Sequence, residues 1–195
     1  MPKEIKQRCS WVNLKNELYI KYHDEEWGIP VHDERKLFEM LILEGAQAGL
    51  SWETVLKKRE NYRKAFDNFN PHKISKYDEA IESELLMNKG IIRNRLKIKS
   101  AIQNAKIFLQ IQNEFGSFDK YIWGFVNYKP IQNNVGSSSE LMPKTELSDN
   151  ISKDLKKRGM SFVGSTIIYS FMQSIGMVND HEISCFRYKE LIQSV

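Results

Sequence analysis

Two cysteine–histidine pairs stand at opposite ends of this chain: Cys9 and His23 near its start, His181 and Cys185 near its end. The later pair has the i, i+4 spacing that places two side chains on one face of a helix. Two thiolates and two imidazoles form a donor set suited to tetrahedral zinc, and four protein ligands leave no position for a reactive water. A metal held this way would clasp the ends of the chain together, so it reads as structural and the chemistry should lie elsewhere. The chain has only two cysteines, and both fall in this set. Spacing alone leaves two other readings open. The cysteines could be separate buried thiols with ordinary histidines nearby, or they could form a Cys9–Cys185 disulfide. The disulfide sits poorly with the Met-Pro-Lys-Glu-Ile-Lys start, which has no apolar signal core.

A length of 195 residues fits one domain, or two small lobes sharing a core. Hydrophobic residues at 41% and charged residues at 28% belong to a folded globular protein rather than a disordered one. The longest apolar stretches, such as Met40 to Leu43, are far too short to span a bilayer. The expectation is a cytoplasmic monomer with no membrane partner. Net charge is only +4, but its arrangement is uneven. Lys57, Lys58, Arg59, Arg63 and Lys64 form one cluster, Arg93, Arg95, Lys97 and Lys99 a second, and Lys153, Lys156, Lys157 and Arg158 a third. A polyanion such as nucleic acid would use these patches. Taken singly, each is equally well explained as a solvated helix face.

Periodicity points to an all-α chain. Asp33 caps a helix with Leu37, Phe38, Leu41 and Ile42 on its apolar face, ending between Gly45 and Gly49. Ser51 caps the next, carrying Trp52, Val55, Leu56, Tyr62 and Phe66 until Asn70-Pro71. A short helix is expected from Asp78 to Met87. A long one follows Gly90, with Leu96, Ile98, Ile102, Ala105, Phe108 and Leu109 as its buried stripe. Phe115-Gly116-Ser117 separates that helix from one through Tyr121, Ile122 and Phe125. Residues 127–145, rich in Asn, Ser, Gly and Pro, read as an exposed loop. Ser148 then caps a helix to Arg158, Gly159 ends it, and Ser165 to Ile175 forms the next, ending at Gly176.

Residues 154–170 have the form of a helix, a glycine-bounded hairpin and a second helix. The second helix starts beside Gly164, so its free N–H groups and positive dipole end suit a DNA phosphate. An ordinary helix–helix turn would show the same two glycines. Elsewhere, Trp11, Tyr19, Tyr22, Trp27 and Trp52 surround motifs that include Glu44 in an apolar Leu-Ile-Leu-Glu-Gly setting. A carboxylate beside aromatic rings suits a flat cationic heterocycle, through stacking and cation–π attraction. The alternative is a core cluster with Glu44 paired to a nearby Lys or Arg. His23-Asp24-Glu25 matches half of the zinc deaminase signature, but no Pro-Cys-x-x-Cys segment accompanies it.

Arg8-Cys9-Ser10-Trp11, Tyr22-His23-Asp24-Glu25-Glu26-Trp27-Gly28, and Leu43-Glu44-Gly45-Ala46-Gln47-Ala48-Gly49-Leu50-Ser51-Trp52 resemble the 3-methyladenine-DNA glycosylase I family. So do Leu56 to Tyr62, Ser161-Phe162-Val163-Gly164, and Val178-Asn179-Asp180-His181 with Cys185. The resemblance runs in order from Cys9 to Cys185. It implies the helix-hairpin-helix DNA glycosylase fold, in a single compact unit of two helical lobes over residues 1–195. It also implies a structural Zn2+ on Cys9, His23, His181 and Cys185, held by segments 9–23 and 181–185. The base pocket carries over to Glu44, Tyr22, Trp27 and Trp52. Glu44 would hydrogen-bond the damaged base as the catalytic carboxylate, Trp52 would stack on it, and Tyr22 and Trp27 would close the pocket. Gly49-Leu50 would approach the gap left by the extruded nucleotide, while Gly159, Phe162, Gly164 and Ser165 meet the DNA backbone.

The implied activity is excision of 3-methyladenine from double-stranded alkylated DNA, with base flipping, an abasic product and free 3-methyladenine. The extent of action on 3-methylguanine stays open. No lysine is placed as a Schiff-base nucleophile, so strand cleavage is not expected. Ala46 departs from a common Gln, and the tail from Phe186 differs from the usual one. Most of the superfamily uses a catalytic Asp after the hairpin that this family is considered to lack, which leaves the role of Asp180 open. A zinc-stabilised DNA-binding module without catalysis, and a zinc hydrolase, are the competing readings.

Overall fold

The structure, a computed structural model, describes residues 6–193. The first five residues, part of the segment read above for a signal core, lie outside the described residues. The order of helices is α1 Glu17–Glu25, α2 Glu34–Gln47, α3 Trp52–Ala65, α4 Pro71–Ile74, α5 Glu79–Met87, α6 Arg95–Phe115, α7 Phe118–Gly124, α8 Glu146–Lys157, α9 Ser165–Ser174 and α10 Phe186–Gln193. Two two-residue strands, β1 Ile131–Gln132 and β2 Val178–Asn179, pair in parallel. No helix among the described residues is long and apolar enough to cross a membrane.

Most helix starts follow from side-chain caps. Asp33 accepts from the Lys36 N–H, Ser51 from Thr54, Asp78 from Ile81, Asn94 from Lys97 and Ser117 from Lys120. Each satisfies a backbone donor that has no partner within the first turn. Thr145, rather than Ser148, caps α8. Ser148 is the third residue of the helix and reciprocates by accepting from the Thr145 N–H, a capping box that starts α8 earlier than expected.

Helix α2 organises the core. It is buried from Leu37 through Ala46 and packs against α3, α6, α7 and α9. A helix buried on all sides is normally apolar throughout, yet α2 carries Glu39 and Glu44 inward. Across it, Phe38 meets Phe108 edge-on at 5.0 Å, and Phe108 stacks on Phe118 at 4.3 Å. On α6, Ile98, Ile102, Ala105 and Phe108 are buried as expected, joined by Ile107 and Ile111, while Leu109 is only partly buried. Leu96 is 68% exposed, because it lies two residues before the buried Ile98 and so on the opposite side of α6.

The 127–145 segment is tied down rather than free. Ile131 N–H donates to the Met177 carbonyl, and Val135, which is buried, accepts from Ile183 N–H through its carbonyl. Pairings of two residues are too short to leave an alternating pattern. The His181–Cys185 pair also departs from expectation. It lies on a turn closed by Cys185 N–H donating to the Glu182 carbonyl at 2.7 Å, not on a helix.

Residues 28–31 run along the end of α9, with Gly28 N–H on the Gln173 carbonyl and Val31 N–H on the Ile175 carbonyl. Gly176 makes this approach possible. Its φ is +72°, and a Cβ there would lie 2.4 Å from both the Ile29 carbonyl carbon and the Pro30 nitrogen. Neither backbone can move aside cheaply. Gly176→Ala is expected to cost about 3 kcal/mol or more in urea denaturation. Gly124→Ala, with open space around the added methyl, should change stability by less than about 1 kcal/mol.

Candidate active site and metal centre

The segment before α1, α1 itself and the turn after β2 bring Cys9, His23, His181 and Cys185 into one buried cluster, with all four donor atoms within 4.8 Å of one another. His181 Nδ1 lies 3.4 Å from Cys9 Sγ and 3.5 Å from Cys185 Sγ, and His23 Nε2 lies 3.5 Å from Cys185 Sγ. A tetrahedral ion with ordinary Zn–S and Zn–N bonds sets sulfur–nitrogen edges of roughly 3.6 Å, so the donors are spaced as such an ion needs. Both thiols are free, and the four donors can hold a metal ion. The remaining ring nitrogens are engaged as well. His23 Nδ1 meets Asp24 at 2.8 Å, and Arg8 in turn grips Asp24 through Nε and Nη2. His181 Nε2 meets the Trp27 carbonyl at 3.0 Å. Partners of this kind fix which nitrogen faces a metal. The Cys9 hydrogen bond and the imidazoles of His181 and His23 hold Cys185 on the thiolate side against the opposing effect of burial.

This cluster shares walls with a cavity of about 210 Å³. Trp27 packs edge-on against His181 at 4.6 Å, and Trp11 meets Trp27 at 4.8 Å and His23 at 5.3 Å. Tyr22, Trp27, Glu44 and Trp52, the four residues assigned to the pocket from sequence, all line this one cavity. They come from α1, the turn after it, α2 and the first position of α3. Tyr22 and Trp52 form an inclined ring pair 5.2 Å apart. Burial, reinforced by Glu44 and Glu26, holds the Tyr22 phenol well above its ordinary pKa, so it remains a hydrogen-bond donor. The indole N–H of Trp11 and that of Trp52 are buried without a hydrogen-bond partner.

Glu44 is 3% exposed. Burial pushes its carboxyl from 4.5 up to about 8, only partly offset by the Ser174 hydroxyl. Nearby Glu26 shows the opposite outcome. Burial raises it too, but the Arg59 fork, at 2.7 Å on both oxygens, and Lys36 bring it down to about 2. No Lys or Arg among the described residues relieves Glu44 in this way. An acid without a counter-cation, walled by aromatic rings, is a site for a flat cation.

The other assigned residues lie outside the cavity, in two loops held by α6. Gly49 has φ +77° with open space beside it, and Leu50 is 42% exposed. Lys97 Nζ donates to the Ala46 and Ala48 carbonyls at 2.8 and 2.7 Å, anchoring that loop. Two turns along α6, Asn104 clamps Ser161 of the hairpin through the Ser161 carbonyl and N–H. Gly159 takes φ +99°, while Gly164 caps α9 with open space where a side chain would stand. Ser165 opens α9. Phe162, at φ +56°, is half-buried against Gly45 rather than projecting freely.

The arrangement matches known proteins along nearly its whole length. A family model for methyladenine glycosylases covers residues 11–188. The chain is 50% identical to DNA-3-methyladenine glycosylase 1 of Escherichia coli strain K12 over 182 residues, 93% of this chain and 97% of that one. A crystal structure of 3-methyladenine DNA glycosylase I superposes with a TM-score of 0.90 at 52% identity, covering 92% of this chain and 98% of the other. The chain belongs to the methyladenine glycosylase family. A variant of such an enzyme, solved in complex with 3-methyladenine, superposes with a TM-score of 0.86 at 34% identity over 88% of this chain and 92% of its own.

Sequence reasoning assigned no role to Gln47, Leu141, Ser170 or Gln173, which also line the cavity, and gave Trp11 and Tyr19 only a place among clustered aromatics. Polar residues on α9 carry no mark that separates a cavity wall from a solvated face. Asp180 proves to be 1% exposed and does not line the cavity. It accepts from the Asn133 amide at 2.6 Å, the Tyr169 hydroxyl at 2.8 Å and the Gln173 amide at 2.7 Å.

The Glu44 shift has a definite sign for stability. An unfolded glutamate ionises near 4.5, whereas the folded one keeps its proton to about 8. Between these values the unfolded chain has released a proton that the folded protein still holds, so raising pH favours unfolding. Glu44→Gln removes this cost. Guanidinium denaturation at pH 5, 7 and 8.5 should show the variant gaining on the parent as pH rises. Parallel curves would mean that Glu44 is not buried as an acid.

Proposed function

We propose that the protein removes 3-methyladenine from alkylated double-stranded DNA by hydrolysing its N-glycosidic bond, leaving an abasic site with the strand intact. The observation that carries this reading is Glu44, a buried acid without a counter-cation, set among Tyr22, Trp27 and Trp52 in a cavity suited to a flat base. Alkylation at N3 places positive charge on adenine, so a 3-methyladenine nucleotide supplies the missing cation. Undamaged adenine does not. Entry of the cationic base favours ionisation of Glu44, and the resulting ion pair is sheltered from water.

The chemistry asks little of a general acid. The C1′–N9 bond breaks with its electron pair going to the base, which leaves neutral, and positive charge passes to the sugar. Water adds at C1′ and loses a proton to solvent. Extruding the nucleotide from the stack is the larger task. In this reading Leu50, exposed on its anchored loop, fills the gap, and the N–H groups at the start of α9 beside Gly164 hold a phosphate. We assign Zn2+ to the Cys9, His23, His181 and Cys185 cluster as a structural ion. Its two-thiolate, two-imidazole set and the partners on both histidines support zinc, and all four donors are protein atoms. We place the protein in the cytoplasm, acting as a monomer of two helical lobes, in keeping with its two free thiols.

Incubating the protein with methylated duplex DNA should release free 3-methyladenine without nicking the strand. Binding without release would leave a DNA-binding module. Glu44→Gln should slow single-turnover excision by about 10- to 100-fold, the range for losing a hydrogen bond to a charged group, without abolishing it. Metal analysis should find one zinc per chain, and Cys185→Ser should lower both zinc content and melting temperature. Gly164→Asp should weaken binding to an abasic duplex while leaving the free-base affinity of the cavity unchanged. Unaltered duplex affinity in that variant would show that the hairpin does not face DNA.

A further inference from the structure

Of the cations around the start of α6, Arg93, Arg95 and Lys99 are exposed, whereas Lys97 turns inward and is half-buried. Its Nζ donates to the Ala46 and Ala48 carbonyls at 2.8 and 2.7 Å, at the C-terminal end of α2. That end carries the negative pole of the helix and carbonyls without helical partners, so charge and hydrogen bonding both hold an ammonium there. Within the loop, Ala48 N–H donates to the Gly45 carbonyl and Leu50 N–H to the Gln47 carbonyl. Lys97 therefore completes the pairing of the carbonyls from Gly45 to Ala48. Gly49, at φ +77°, then turns the chain so that Leu50 stands exposed just beyond the clamp. The hairpin is tied to the same helix. Asn104, 2% exposed, donates to the Ser161 carbonyl at 2.8 Å and accepts from the Ser161 N–H at 2.9 Å. The two loops also touch each other. A Cβ at Gly45 would stand 3.2 Å from Phe162 Cβ, so the hairpin rests against the end of α2.

We propose that Lys97 is a positioning residue for nucleotide extrusion, holding Leu50 at a fixed separation from the hairpin so that the gap is filled while the backbone is gripped. This rests on the function proposed above and deepens it. A stack that has lost a base closes again unless the space is taken. An apolar side chain on a free loop would lose conformational freedom at every such encounter. On a clamped loop that ordering is already complete in the folded protein. Lys97 and Asn104 lie seven residues apart on α6, about 10 Å along one face of a helix, and a helix of this length does not stretch to accommodate a misplaced loop. Lys97 does not line the aromatic-walled cavity. Its effect passes through Ala46 and Ala48 to Leu50, so it touches neither the base nor the sugar. A lysine that merely capped α2 would add stability but leave the excision rate of the folded protein unchanged, which separates the two roles experimentally.

The test is single-turnover excision of 3-methyladenine from methylated duplex DNA at saturating protein. Lys97→Met keeps the side-chain stem and removes the ammonium. It should slow this rate roughly 10- to 100-fold, the consequence of a loop displaced on the ångström scale. Affinity for free 3-methyladenine, read by tryptophan fluorescence, should stay close to that of the parent, because the free base requires no gap to be filled. The deciding measurement is a double variant. Leu50→Ala should slow excision by itself, and with the side chain gone Lys97 has nothing left to place. Adding Lys97→Met to Leu50→Ala should therefore slow the reaction by less than about threefold more. Lys97→Gln provides the same readings if the Met variant melts early. Parent-like excision by the Lys97 variants, a full additional loss in the double variant, or a parallel fall in free-base affinity would overturn the proposal. Parent-like excision by Leu50→Ala would overturn it as well, while leaving the activity in place. A parent that releases no 3-methyladenine would overturn the proposed function itself.

Discussion

The meeting of Cys9, His23, His181 and Cys185 is the constraint on which the arrangement of this protein depends. It joins residues separated by most of the chain, and the elements it fixes are those that wall the cavity. His23 lies one position after Tyr22 on α1, so placing one side chain in the cluster sets the other in the cavity. The Trp27 carbonyl faces His181 while its ring forms a wall. Glu182, between the two C-terminal donors, extends the same constraint to the 127–145 segment. Its Oε1 accepts from Ser10 N–H, from the Ser10 hydroxyl and from Ser138 N–H. Three residues beyond Ser138, Leu141 lines the cavity. The buried cluster therefore shapes the cavity although it does not line it.

Helix α6 has the corresponding role on the side proposed to face DNA. Lys97 and Asn104 are seven residues apart, two turns of one helix face, and each holds a different loop by a pair of hydrogen bonds to backbone. Desolvation lowers the Lys97 pKa, yet the two carbonyls at the end of α2 give its ammonium the partners that location requires. The spacing between the Gly49-Leu50 loop and the hairpin is thus set by a rigid rod rather than by the loops themselves.

Much of this was legible in the sequence, because caps and the buried faces of α2, α3 and α6 leave local marks. Asp33, Ser51, Asp78 and Ser117 each precede an apolar run at helical spacing. The buried Cys/His cluster was legible for another reason: only two cysteines were available, and each had a histidine in its own part of the chain. Helices α1 and α10 gave no such signal. The buried positions of α1 are Tyr22 and His23, which hydropathy does not count as core. The β1–β2 pairing and the placement of Leu141 and Gln173 arise from contacts between distant segments. Asp180 was visible as a motif residue but ambiguous, since a carboxylate that catalyses and one that orients a neighbour look alike until its donors are known.

The acids near the centre of the molecule show how one fold produces different electrostatic outcomes from the same residue type. Glu26 and Glu39 are matched by Arg59, Arg63 and Lys36, so their charge is internal and nothing from outside is needed to stabilise it. Asp180 and Glu182 are satisfied by neutral donors, which makes them rigid anchors. Glu44 has no cation and only the partial offset of the Ser174 hydroxyl. Holding it as an acid avoids burying an unpaired charge, but it leaves the folded protein less stable as pH rises than a neutral side chain would. Such a cost is expected where a group is reserved for a ligand rather than for the fold. On the function proposed above, a cationic base entering the cavity would replace a proton at Glu44, not a salt bridge, so no internal cation would have to be displaced first. On that reading, the same absence of an internal cation that leaves Glu44 an acid is what would set an alkylated base apart from an undamaged one.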